Sequence, residues 1–289
     1  MLATGVMSRP LADSVATPQL DKAKLPIGGF ARQRVAAIAR NAFREAVRDR
    51  VLYNLVVFAL LLIAGAIFLG ELSGGQEAKI LVDLGLSAIL LFGVLIAIFV
   101  GVGLVYKELE RRTLYAILSK PIGRGEFLLG KYLGLSLTLL VNVVVMGLGL
   151  SAAVVYVKRG WDPLVIHIWP AILLIYVELT ILTAVAMLFS SFSSPALSAL
   201  LSFFVFVIGH FNSDLKMLSQ TSARTATSWI FAGLYYVLPN LMNYNAISGA
   251  AHGISPTPIS LFTAVAYGAI YVSVLLAGAT LIFRRKNLK

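Results

Sequence analysis

Residues 82–106 read VDLGLSAILLFGVLIAIFVGVGLVY, an apolar run whose single charged residue is Asp83, near its start. A helix needs about 20 such residues to cross the hydrocarbon core of a membrane. Together with five further apolar runs, this stretch predicts an all-α, polytopic membrane protein. Its six spans are expected at residues 51–69, 82–106, 132–156, 166–188, 195–211 and 258–283.

The composition of the whole chain supports a membrane protein. Of its 289 residues, 59% are hydrophobic and 13% are charged, with a mean hydropathy of +0.88, whereas about a quarter of the residues in a soluble domain are charged. The chain has no cysteine, which excludes disulfides, thiolate metal sites and cysteine nucleophiles. Its three histidines are scattered, and neither a Ser-His-acid set nor metal-ligand spacing is apparent. A membrane-embedded, lipid-modifying enzyme is therefore the weaker hypothesis, and we expect no metal site.

The positive charge of the chain predicts its orientation. With six spans both termini share one side, and 19 of the 24 Lys and Arg residues then lie in segments on that side. Cytoplasmic segments carry this excess, so we expect a bacterial inner-membrane protein with both termini in the cytoplasm. Trp161, Trp169 and Trp229 would fall near the outer boundary. Because the basic residues cluster at helix ends instead of forming a basic domain, the net charge of +11 does not indicate nucleic acid as a partner.

The flanking and connecting segments have expected structures of their own. Residues 1–29 are expected to form a flexible cytoplasmic tail, and residues 30–50 an amphipathic helix that lies in the membrane interface or, alternatively, in solvent beside it. Ser194 and Pro195 predict the cap and the first position of the fifth span. Between the fifth and sixth spans, residues 212–257 are expected to hold short interfacial or re-entrant helices at the outer face, because lipid-exposed irregular backbone is forbidden.

Residues 107–134 read KELERRTLYAILSKPIGRGEFLLGKYLG and predict a helix, a turn and a second helix at the cytoplasmic membrane surface. Pro121 lacks an N–H and must end the first helix, and the next helix is expected to begin near Glu126. A short charged helix held between two spans could take up the movement of a cytosolic motor. The same pattern also describes a solvated interhelical loop.

The residues of this segment resemble the signature of type 2 ABC transporter permeases. The resemblance rests on Glu110, Thr113-Leu114, Leu118-Ser119, Pro121, Arg124, Glu126 and Gly130-Lys131. One departure is Arg112, where many members carry glycine.

The resemblance implies how the protein would work. Residues 30–289 would form a single-domain permease, paired in the family's manner with a second permease copy and two copies of a separate ABC ATPase subunit, which would bind ATP and Mg. Residues 107–127 would couple the two kinds of subunit, the amphipathic helix would be the elbow helix, and transport would be export. The coupling residues implied in this way are Glu108, Glu110, Arg111, Arg112, Thr113, Leu114, Ser119, Pro121, Arg124 and Glu126.

One further motif is interpreted as a coincidence. Residues 72–76 spell LSGGQ, the signature of ABC ATPases, but they lie in an outer loop, and the chain has no G-x-x-x-x-G-K-[ST] phosphate loop. The chain therefore cannot hydrolyse ATP alone, and we expect no cofactor bound to it.

Polar residues inside the spans are candidates for function. Glu178, near the middle of the fourth span, and Asn142 are the candidate substrate-path residues, because an intramembrane carboxylate is costly unless it is paired, protonated or facing a cavity. An interhelical hydrogen bond from Glu178 is the alternative. His210 is interpreted as an ordinary residue of the outer boundary, and Gly130 and Gly134 as a helix-packing pair. As a whole, an ABC permease is favoured over a secondary transporter or channel that needs no ATPase.

Overall fold

A computed structural model describes residues 27–48, 50–71, 76–110, 123–212, 217 and 226–285. Within these residues the backbone forms helices and short connections and no strand, which confirms the all-α prediction for this part of the chain. The predicted tail, most of the LSGGQ motif and the middle of the cytoplasmic segment lie outside the described residues.

The helices follow the order of the predicted spans. Their bounds are α1 Ile27–Val47, α2 Arg50–Glu71, α3 Glu77–Glu110, α4 Arg124–Val157, α5 Leu164–Ser190, α6 Pro195–His210, α7 Ala226–Val237, a 3₁₀ helix Leu241–Tyr244, α8 Ile247–Ala251 and α9 Pro258–Arg285. The amphipathic helix α1 starts three residues earlier than expected, and the chain stops being helical near Arg48, between α1 and α2.

Four of the described helices are long and apolar enough to cross a membrane. They contain the stretches Glu77–Gly103, Gly125–Val157, Leu164–Ser190 and Pro258–Ile282. Shorter apolar stretches, Leu55–Phe68 and Pro195–His210, occupy the positions predicted for the first and fifth spans. The chain therefore has the helices of a polytopic membrane protein, and the count of six spans stays a prediction.

Helix α5 is the centre of the bundle. It packs against α3, α4, α6 and α9, and Ile175, Leu179 and Leu182 on it are at most 1% exposed. Gly93 on α3 allows α3 and α5 to approach each other closely. A Cβ added at this position would collide with a methyl carbon of Leu179 on α5. Because most side chains of α5 are buried, a polar group in its middle is placed among neighbouring helices instead of lipid.

Helices α5 and α6 form an antiparallel hairpin, and the fifth apolar helix starts where it was predicted. Ser194 is extended, with φ −71° and ψ 159°, and Pro195 follows as the first helical residue. This position suits proline, because the first N–H groups of a helix have no partner within it. The turn between the two helices is further joined to α6 by a contact of 2.6 Å between the hydroxyls of Ser193 and Ser198.

The segment between α6 and α9 contains the predicted short helices. Its 3₁₀ helix packs along the side of α9. Tyr244 in the 3₁₀ helix donates a hydrogen bond to the Ala264 carbonyl, and a Cβ added at Gly268 would lie 3.0 Å from its hydroxyl. Gly268 is ten residues into α9, which corresponds to about 15 Å along the helix axis. The 3₁₀ helix, whose Leu241 and Tyr244 are 1% exposed, is thus buried against α9, and the choice between an interfacial and a re-entrant position stays a prediction.

Candidate functional site

The segment predicted to couple to an ATPase begins as a direct extension of α3. This helix continues without a break through Lys107 and Glu108 and ends at Glu110. The second helix of the segment, α4, begins at Arg124 and carries Glu126 in its first turn, close to the predicted start. The other implied coupling residues, which are Arg111, Arg112, Thr113, Leu114, Ser119 and Pro121, lie outside the described residues.

The start of α4 is attached to the amphipathic helix α1 by charge pairs. Glu126 lies 3.8 Å from the guanidinium of Arg34. One turn further along α4, the ammonium of Lys131 lies 3.5 Å from the carboxylate of Glu45 and 5.9 Å from the centre of the Phe127 ring. Glu126, implied by the resemblance to face an ATPase, is thus within ion-pair distance of the chain's own α1.

Two glycines bring the backbones of α1 and α4 together. A Cβ added at Gly130 would lie 2.7 Å from Ile38 Cβ, and one added at Gly134 would lie 2.5 Å from the Ala39 carbonyl oxygen. Distances this short leave no room for a side chain, which confirms the packing role predicted for both glycines. Tight packing and two ion pairs therefore fix α1 to the helix that leaves the coupling segment.

Within the bundle, Glu178 of α5 meets His210 at the end of α6. Oε1 of Glu178 lies 3.4 Å from Nε2 of His210, and the glutamate side chain is 1% exposed. Helix α6 has 16 residues and is about 24 Å long, shorter than the hydrocarbon core of about 30 Å. Its last residue contacts the middle of α5, so an interhelical contact is the alternative for Glu178 that the geometry favours, while the position of His210 relative to the outer boundary stays a prediction.

A separate cluster of hydroxyl groups lines an open cleft of about 370 Å³ between α4, α5 and α9. Tyr176 donates to the Ser136 carbonyl across 3.3 Å. The hydroxyl residues of the lining are Tyr132, Ser136, Tyr176, Thr180 and Ser273. Tyr176 and Thr180 each stand two residues from Glu178, about 200° around a helix, so the cleft and the Glu178–His210 contact lie on different sides of α5.

Asn142, the second candidate of the substrate path, lies on α4 and is 7% exposed. It follows Ser136 by six residues and therefore lies about 9 Å further along α4. It does not line the cleft. The structure thus does not bring Asn142 and Glu178 into one described contact, and their shared role in a substrate path stays a prediction.

A cavity of about 470 Å³ opens where the start of α3, the end of α4 and the start of α5 meet the end of α8 and the residues after it. Lys79, Lys158, Asp162 and His252 are among its lining residues. Asp162 accepts a hydrogen bond of 2.8 Å from the Leu164 N–H and lies 3.5 Å from Lys158. The backbone hydrogen bond is the main cause that holds the pKa of this exposed carboxyl below its usual range.

Sequence reasoning missed two of these groupings. The sequence does contain a signal for the hydroxyl cleft, because two apolar helices each carry two polar residues four positions apart. These are Tyr132 with Ser136 and Tyr176 with Thr180. Such pairs share a helix face. A signal for the partner of Glu178 was also present. The fifth apolar run is short and ends beside His210.

The helical bundle, the unbroken 34-residue helix α3 and the signature residues that follow it define a membrane transport protein of the ABC class. The family model described as "ABC-2 family transporter protein" matches residues 36–288, and the chain belongs to this family. The resemblance drawn from the signature residues is therefore confirmed.

Two curated relatives are permeases of this class. The "Probable ABC transporter permease protein NosY" of Stutzerimonas stutzeri is 29% identical over 119 residues, which cover 40% of this chain and 43% of the relative. The protein of the same name from Pseudomonas aeruginosa is 30% identical over 122 residues, covering 41% and 44% of the two chains. The matches thus span less than half the length of these relatives.

Proposed function

We propose that this chain is the permease subunit of an ATP-driven exporter, coupled to a separate ATPase through residues 107–127. The observation that carries the proposal is the continuity of α3, which has 34 residues and runs unbroken to Glu110. Its length of about 51 Å exceeds the hydrocarbon thickness of about 30 Å. A rigid helix that crosses the bundle and projects beyond it can pass a force from a cytosolic subunit into the membrane.

The attachment of α1 to α4 supports the same proposal from the other side of the segment. A force applied between Glu110 and Arg124 reaches α3 directly and reaches α1 through the start of α4. Because α1 is tied by the Arg34–Glu126 and Glu45–Lys131 pairs, it would move together with α4. Both helices that border the coupling segment are therefore able to respond to a partner.

The proposed assembly contains two copies of this chain and two ATPase subunits, which carry ATP and Mg. We place it in the bacterial inner membrane with both termini in the cytoplasm. The excess of Lys and Arg on one side supports this orientation, as do the outer-loop Trp161 and Trp229, which are 87% and 79% exposed. Exposed tryptophan is common at the membrane–water interface.

Co-purification from the native membrane tests the proposal. The tagged wild-type chain is compared with the double variant Glu110→Ala plus Arg112→Ala, which removes one acid and one base at the inner end of the segment. The matched control, Glu77→Ala plus Lys79→Ala, removes the same charges with the same spacing at the outer end of α3.

We expect an ATPase subunit to be retained by the wild type and the control and to be depleted at least fivefold from the double variant. Equal retention by all three chains would place the docking surface elsewhere. A wild-type chain that purifies alone in several mild detergents would overturn the proposal in favour of a secondary transporter or channel that needs no ATPase.

A further inference from the structure

The histidine at the end of α6 has a tautomer that its surroundings determine. Nδ1 of His210 lies 3.0 Å from the carbonyl oxygen of Phe206. A carbonyl oxygen only accepts hydrogen bonds, so the proton of the neutral ring must be on Nδ1. Nε2 of the neutral ring then carries a lone pair and no hydrogen.

That lone pair is directed at a second acceptor. Oε1 of Glu178 lies 3.4 Å from Nε2, and no other hydrogen-bond partner is found for this oxygen among the described residues. An ionised carboxylate has acceptors only. Without an additional proton, two lone pairs would face each other at a site where the glutamate side chain is 1% exposed.

One added proton resolves the conflict. Placed between Oε1 and Nε2, it gives either a neutral acid that donates to the imidazole or a carboxylate that accepts from an imidazolium. In both cases the pair has zero net charge, whereas the pair without the proton has a charge of −1 and the pair with two has a charge of +1. A net charge in the membrane interior is costly.

We infer that Glu178 and His210 form a binding site for one proton, and that this proton holds the outer end of α6 against α5. Loss of the proton leaves facing lone pairs and a buried negative charge, so the contact separates as the pH rises. By linkage, any movement that separates α6 from α5 must change the proton affinity of the site.

The elements around α5 carry phenols, and of these Tyr244 lies near Glu178. Tyr132 on α4, Tyr244 in the 3₁₀ helix and Tyr267 on α9 come from the elements packed around α5. Phenols ordinarily stay neutral below pH 9. The carboxylate of Asp83 on α3 is exposed near the outer end of that helix, and α8 has no titratable side chain. Between pH 5 and 9 the pair is thus the titrating group that faces this contact within the described residues.

The absence of native cysteine makes a distance measurement direct. Spin labels are attached at Ile166→Cys on α5 and Phe211→Cys beyond α6, both exposed positions, in the full chain reconstituted in lipid nanodiscs. Distances are recorded by pulsed electron paramagnetic resonance between pH 5 and 10. The same labels are placed in Glu178→Gln and Glu178→Ala backgrounds.

The two variants separate a proton site from a merely structural contact. The side-chain amide introduced by E178Q can donate an N–H to Nε2 without any added proton, so we expect this variant to keep the short distance at every pH. E178A removes the contact and should show the long distance at every pH. The wild type should pass from the short to the long distance as the pH rises, with the slope of a single proton.

Infrared difference spectra provide a second readout that does not depend on the labels. A pH-dependent carboxyl or carboxylate band present in the wild type and absent from E178Q is the expected result. A wild-type distance that does not change between pH 5 and 10, or a transition that persists unaltered in E178Q, would overturn the inference. If E178A fails to fold, the comparison of E178Q with the wild type still decides.

Discussion

The ammonium of Lys131 lies 3.5 Å from the carboxylate of Glu45, and only 2% of the lysine side chain is exposed against 43% of the glutamate side chain. The two partners of this pair therefore depend on it unequally. Glu45 can be hydrated when its partner is lost, whereas the Lys131 ammonium is almost completely shielded from water and loses one of its charged contacts. Removing one partner of a buried pair is costly chiefly because of the charge that remains.

The first prediction is that the two neutral variants of this pair differ in stability. Glu45→Gln should lower the free energy of unfolding by about 1–3 kcal/mol, because it removes an anionic contact from an ammonium that water hardly reaches. Lys131→Met should cost about 1 kcal/mol or less, because the apolar stem is replaced and Glu45 faces water. Thermal unfolding of both variants in one detergent measures the difference, and a larger loss for Lys131→Met would contradict it.

The second prediction concerns the close approach of α1 and α4. Gly134→Ala places a methyl group 2.5 Å from the Ala39 carbonyl oxygen and 2.6 Å from Ala42 Cβ, so the two helices must separate. We expect a loss of about 1–3 kcal/mol. The control is Gly65→Ala on α2, where nothing lies within 4 Å of the added carbon. Equal melting temperatures for the two variants would show that α1 does not pack in this way.

The third prediction distinguishes two roles for Glu126. If the residue mainly pairs with Arg34, as their distance of 3.8 Å indicates, Glu126→Arg should weaken ATPase retention by misplacing α4. The exchange Arg34→Glu plus Glu126→Arg should then restore it, because opposite charges face each other again. Quantitative co-purification provides the measurement. An exchange variant that retains no more ATPase than Glu126→Arg alone would indicate that Glu126 contacts the partner itself.

The fourth prediction tests the orientation in the membrane with two matched substitutions. Gly123→Cys before α4 and Gly160→Cys after it are both exposed, and an added Cβ meets no atom closer than 3.6 Å at either position. In spheroplasts with a sealed inner membrane, a membrane-impermeant maleimide should label position 160 and not position 123. Inverted vesicles should give the reverse. Labelling of position 123 from outside would contradict the proposed orientation and indicate the opposite one.

Much of the fold is readable from the sequence because membrane helices are marked by apolar length. The run at residues 82–106 predicts α3, the Ser194-Pro195 pair predicts the start of α6, and the spacing of Gly130 and Gly134 predicts a packing face. These signals are local. Each depends on residues that lie within one helix or at its end.

The contacts that assemble the candidate sites are not local, and the sequence leaves them open. A helix that is apolar on all sides has no polar face to indicate which side meets which neighbour, so the partner of Glu178 could not be assigned. The depth of His210 also depends on where α6 ends in the bundle, which its 32-residue separation from Glu178 does not reveal. The hydroxyl cleft was missed for the same reason.

The unbroken length of α3 and α4 converts small rotations into large displacements. Each has 34 residues and is therefore about 51 Å long. A rigid rod of this length that tilts by about 10° around its outer end moves its inner end by about 9 Å. Conversely, a stroke of that size at Glu110 or Arg124 needs only a slight tilt within the bundle, so the packing around α5 can follow it with little rearrangement.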